Sequence, residues 1–84
     1  MSFTVIWDPD GRSELHWVWV ASPDPAAVRS AAEKAEQQLR LDPIGTGEHI
    51  CEGLWRIVVS PLAVYYTVDI GRQLVEITNV ALTI

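Results

Sequence analysis

The alternation of apolar and polar positions changes period along the chain, and each change marks an element. Residues 3–7 (Phe3-Thr4-Val5-Ile6-Trp7) alternate and are mostly β-branched or aromatic, which predicts a strand. Asp8-Pro9-Asp10-Gly11 ends it and also carries helix-start chemistry. Asp8 offers an oxygen to orphan backbone N–H groups, and Pro9 suits the first helical position. Over residues 12–21 two periods compete. Leu15, Val18 and Trp19 fit a helical stripe, while Leu15, Trp17, Trp19 and Ala21 fit a strand equally well. The caps upstream favour helix, and strand stays open.

Ser22-Pro23-Asp24-Pro25 is a firm break and a second helix start, with Asp24 as cap. Residues 25–41 are rich in strong helix formers, and Val28, Ala32, Ala35 and Leu39 share one face at helical spacing. That stripe is alanine-rich, so the helix can lie close to its neighbour. Asp42-Pro43 stops it, because proline disfavours the α conformation in the residue before it.

Residues 43–53 read as a glycine-rich loop. Leu54–Ser60 reads as a strand, broken at Pro61, and Leu62–Val68 as another, with Val64, Tyr66 and Val68 on one face and Tyr65 and Thr67 on the other. Asp69-Ile70-Gly71-Arg72 is a tight turn, with a positive φ expected at Gly71. Gln73–Ala81 is the last strand, placing Val75 and Ile77 on one face. Short connections make these strands antiparallel neighbours. The expected fold is α+β: an N-terminal strand, one or two helices, then a three-stranded antiparallel meander, in one domain spanning 1–84. The core is expected to place Val64, Val68, Val75 and Ile77 against Val28, Ala32, Ala35 and Leu39.

Charge narrows the function classes. Six basic residues oppose eleven acidic ones, a net charge of −5. Affinity for a phosphate backbone comes mostly from Lys and Arg displacing counterions, so weak or no direct nucleic-acid binding is expected. Cys51 is the single cysteine, which rules out an intrachain disulfide and fits a reducing cytoplasm. The N-terminus shows no basic region before an apolar run, so no signal peptide is expected. The most apolar stretch, Ile57–Val68, falls short of the ~18 residues a membrane span needs, so no membrane association is expected.

The stretches Leu41-Asp42-Pro43, Gly47-Glu48, Glu52-Gly53-Leu54-Trp55-Arg56-Ile57, Pro61-Leu62-Ala63-Val64-Tyr65-Tyr66-Thr67-Val68-Asp69 and Val75-Glu76-Ile77-Thr78-Asn79-Val80 together resemble the RelE/ParE toxins of toxin–antitoxin systems, also described as plasmid-stabilisation proteins. The resemblance covers nearly the whole chain and rests on a pattern of strands. It implies a toxin-like component of a type II pair, neutralised by a cognate protein antitoxin from an adjacent gene. The second reading is a non-catalytic interaction module on the same fold, a decayed or repurposed toxin. Ribonuclease members of the family carry basic residues on the sheet's open face and a basic or tyrosine residue after the last strand. Here Arg56 is the only basic residue from Leu54 to Val68. Ala63 stands where those members carry an arginine, and Ala81-Leu82-Thr83-Ile84 holds no Arg, His or Tyr. Enzymatic activity therefore stays open, as does the target, ribosome-bound messenger RNA or gyrase.

Candidate chemistry is sparse. His49 and Glu48 in the loop, with Arg56, could form an acid–base and phosphate-binding group, although three scattered polar residues more often form a solvated surface. Arg56 could equally hold an anion or pair with Glu76 across strands. Four tryptophans are many for this length, and Trp17, Trp19 and Trp55, with Arg56, are the candidate partner-binding residues, for a second protein or a second copy. No metal-ligand spacing or phosphate-binding glycine loop is present, so no metal and no cofactor is expected.

Overall fold

The computed structural model of the chain describes residues 2–83. In chain order the elements are β1 (Thr4–Trp7), α1 (Pro9–Ala21), α2 (Pro25–Leu41), β2 (Glu48–Cys51), β3 (Leu54–Val59), β4 (Leu62–Asp69) and β5 (Leu74–Leu82). They build one five-stranded sheet in the order β1-β5-β4-β3-β2. β2 to β5 run antiparallel, and β1 joins β5 in parallel from Thr4↔Leu74 to Trp7↔Ile77.

The helices begin where their caps predict. The Asp8 carboxylate accepts from the Asp10 N–H at 2.7 Å, and residues 12–21 are helix, not strand. Asp24 accepts from Ala27 N–H at 3.2 Å, with Pro25 next. α1 starts against β5: Asp8 N–H donates to the Ile77 carbonyl at 2.9 Å, and a Cβ on Gly11 would lie 2.6 Å from that same oxygen. Glycine is therefore required at 11 by close approach.

α2 lays its alanine-rich stripe on the sheet. Val28, Ala31, Ala32, Ala35 and Leu39 are buried against Ile57, Leu62, Val64, Tyr66, Val75, Ile77 and Val80 in one apolar core. The expected core residues are all in it except Val68, which is half-buried at its margin.

Three expectations differ in detail. The glycine-rich segment 43–53 is not all loop: residues 48–51 form β2, which turns through Glu52-Gly53 into β3. The antiparallel part of the sheet thus has four strands, where three were expected. A four-residue edge strand with all its side chains exposed carries no apolar alternation for a sequence reading to detect. Third, the positive φ in the β4–β5 turn falls at Gln73 (φ 52°), not at Gly71. Gln73 is held there because its N–H reaches the Ile70 carbonyl and its carbonyl accepts from Thr4 N–H.

That conformation disfavours any side chain, most of all a branched one. Gln73→Gly should leave stability unchanged or raise it by up to about 1 kcal/mol, whereas Gln73→Val should lower it by about 1 kcal/mol or more. Urea unfolding of the two variants compares them directly; a greater loss for the glycine variant would contradict the placement.

Candidate functional site

Two surfaces carry the singled-out residues. The first is the sheet face turned away from α2. Along β3, Trp55, Ile57 and Val59 pack toward the core, so Leu54, Arg56 and Val58 take the opposite face. The register lines up Glu48, Arg56, Tyr65 and Asn79 as one row across β2, β3, β4 and β5. Within the row Arg56 forms an ion pair with Glu48, not with Glu76, because β2 lies beside β3 and β5 does not. The Arg56 side chain is 36% exposed and that of Glu48 62%. The neighbouring Tyr65 hydroxyl, and after it Glu48, push the guanidinium pKa above its ordinary value. The Nε–H of Arg56 is buried and has no hydrogen-bond partner among the described residues. At the end of the row the Glu14 carboxylate of α1 accepts from Asn79 Nδ2 at 3.1 Å and from Val80 N–H at 3.0 Å. Glu14 thus occupies the edge of β5 beyond the last residue paired with β1.

His49 is paired in register with Trp55 and meets its ring edge-on, centroids 5.0 Å apart, so it belongs to the other face of the sheet. The structure brings Glu48 and Arg56 together and sets His49 apart from them. Cys51 is exposed and free. Among the described residues no three His, Cys, Asp or Glu side chains are grouped to hold a metal ion.

The second surface belongs to the helices. Trp17 is 68% exposed, Trp19 45% and Val20 55%, all on α1. A cleft of about 490 Å³ runs between α1 and α2, floored by Trp7, Leu15, Trp19 and Val28. Arg12, Arg29, Glu33 and Glu36 also line it, with Arg29 and Glu33 paired at 3.6 Å. The Trp7 indole N–H donates to the Glu36 carboxylate, tying β1 to α2. Trp55 does not join this surface, since β3 lies two strands from β5, against which α1 packs. Two indoles are therefore exposed and two, Trp7 and Trp55, are half-buried.

Sequence reasoning missed Tyr66 as the anchor of the segment after α2. Its buried hydroxyl donates to the Pro43 carbonyl at 2.6 Å, and a Cβ on Gly47 would lie 1.6 Å from the Tyr66 hydroxyl oxygen. Pro43 and Tyr66 are too far apart in sequence for spacing to have revealed the bond. No helix among the described residues is long and apolar enough to cross a membrane.

No protein-family model matches the sequence. No curated protein matches it either. Solved structures do. A chain of the RelBE2 toxin–antitoxin complex of Mycobacterium tuberculosis superposes with a TM-score of 0.80 at 22% identity, covering 98% of this chain and 99% of that one. A chain of the chromosomal ParDE TA system of P. aeruginosa superposes with a TM-score of 0.76 at 14% identity, covering 98% and 97%. At these identities the likeness is one of fold, and the fold is the α+β arrangement that these toxin–antitoxin structures contain.

Proposed function

We propose that the chain is the toxin-like component of a type II toxin–antitoxin pair and acts in the cytoplasm as one domain. A protein antitoxin from an adjacent gene would neutralise it by covering its exposed apolar surface. The observation that carries this reading is the end-to-end match, with nearly all of both chains covered, to a chain of the RelBE2 toxin–antitoxin complex. The exposed indoles of Trp17 and Trp19, beside an apolar-floored cleft, supply the kind of surface a partner helix fills. Trp55 and Arg56, on the sheet, would be secondary anchors.

A second reading is favoured by one observation: Arg56, the basic residue of β3 and β4, is already matched by Glu48. A chain with that face and a net charge of −5 suits a non-catalytic interaction module better than a ribonuclease. Both readings share the protein partner.

Co-expression with the product of the adjacent gene, followed by ultracentrifugation, tests the partner. A stable complex is expected, weakened by about 2 kcal/mol or more, roughly 30-fold, by Trp17→Ala or Trp19→Ala. A chain that stays monomeric and ignores that product would overturn it; self-association through the same indoles would instead make a second copy the occupant.

A further inference from the structure

On the open sheet face the chain holds an arginine in an unusual state. Arg56 stands in the middle of the row Glu48–Arg56–Tyr65, one strand in from the β2 edge. A guanidinium offers five N–H donors in a planar fork that matches a carboxylate. Here Glu48 takes one of them from Nη2, and Nε–H is left without a partner although it is buried. A donor shut off from solvent and left unpaired is unfavourable, so the guanidinium is under-used as it stands. Glu48 itself comes from a strand whose side chains are all exposed, and an exposed ion pair holds by at most roughly a factor of five.

We propose that Arg56 and Tyr65 form a seat for one carboxylate, that Glu48 is its built-in occupant, and that an acidic side chain of a protein partner displaces Glu48 when the open face is covered. The resident ligand argues for the class, because the group the seat already holds is a carboxylate. Charge argues against the alternative. Polynucleotide affinity scales with the number of phosphates that cations neutralise, and this face presents a single arginine in a chain of net charge −5. Glu48 then has a stated role: it satisfies Arg56 in the free chain and sets how strongly a partner's carboxylate must compete. The source of that carboxylate rests on the partner proposed above; the seat does not.

The seat is tested on the isolated chain by the NMR resonance of the Arg56 Nε–H. Sodium acetate, sodium phosphate and a short oligouridylate are titrated at ionic strength matched with sodium chloride. Wild type and Glu48→Gln are compared, with Arg56→Gln to assign the signal and thermal melts to confirm that both variants fold. Acetate is expected to move the resonance saturably in Glu48→Gln, roughly fivefold more tightly than in wild type. Equal responses in the two proteins would remove Glu48 as the occupant. No response beyond chloride in Glu48→Gln would remove the seat. A response to oligouridylate without one to acetate would overturn the carboxylate assignment in favour of a polynucleotide. None of these outcomes depends on whether an antitoxin exists.

Discussion

Val64→Asp should abolish folding. Val64 is 0% exposed and lies in the centre of β4, in register with Ile57 of β3 and Val80 of β5. It is part of the apolar core that α2 closes. Among the described residues the one buried side-chain polar group of that core is the Tyr66 hydroxyl, already bonded to the Pro43 carbonyl, so an aspartate there would find no partner. A buried unpaired charge costs several kcal/mol, against a total stability of about 4–12 kcal/mol for a domain of this size. No cooperative thermal transition is expected. Val58→Asp is the matched control. Val58 is 56% exposed on the opposite face of β3, and the same charge there should leave the melt nearly unchanged. A melt of Val64→Asp indistinguishable from wild type would contradict the arrangement of sheet and helix.

Removing the Tyr66 ring should have the next largest effect. Tyr66→Ala empties a fully buried aromatic position and should cost about 3–5 kcal/mol. Tyr66→Phe keeps the ring and deletes the hydroxyl, leaving the Pro43 carbonyl without its donor, for a loss of about 1–2 kcal/mol. pH separates the hydroxyl from the ring. Burial pushes the Tyr66 hydroxyl from 10.0 up to about 12, with the Asp42 carboxylate adding to the effect. Below pH 10 both folded and unfolded chains keep this proton. Between pH 10 and about 12 the unfolded chain loses it first, so stability falls as pH rises. Wild type should lose stability across that window more steeply than Tyr66→Phe. Parallel pH profiles would show that the hydroxyl is not held as described.

Much of the fold was legible because it rests on local signals. The two proline-plus-aspartate caps located both helix starts, and the Val28–Leu39 stripe and the Val64, Val75 and Ile77 alternation identified the faces that meet. β2 escaped because an exposed edge strand has no inward face, and its pairing with β3 is set by backbone hydrogen bonds that no side-chain period records. The left-handed residue at Gln73 escaped for a related reason. The parallel partner β1, whose Thr4 N–H takes the Gln73 carbonyl, is distant in sequence.

The candidate sites were less legible. Arg56 stands out in the sequence as a lone mid-strand basic residue, but its partner depends on strand order: Glu48 is its neighbour only because β2 lies against β3. His49, next to Glu48 in sequence, is carried to the other face by the same strand's alternation and packs on Trp55. The high tryptophan count points to Trp17 and Trp19, and both are exposed on α1. Trp55 shares only their residue type, and the topology separates it from them.

The proposed role, a toxin-like protein held in check by the product of a neighbouring gene, predicts a growth phenotype. Induced expression in a bacterial host, with and without the adjacent open reading frame, tests it most directly. Growth arrest on expression of the chain alone, relieved when the neighbouring frame is co-expressed, is the expected result. Unimpeded growth in both cultures, with the chain present in soluble form at equal levels, would contradict it.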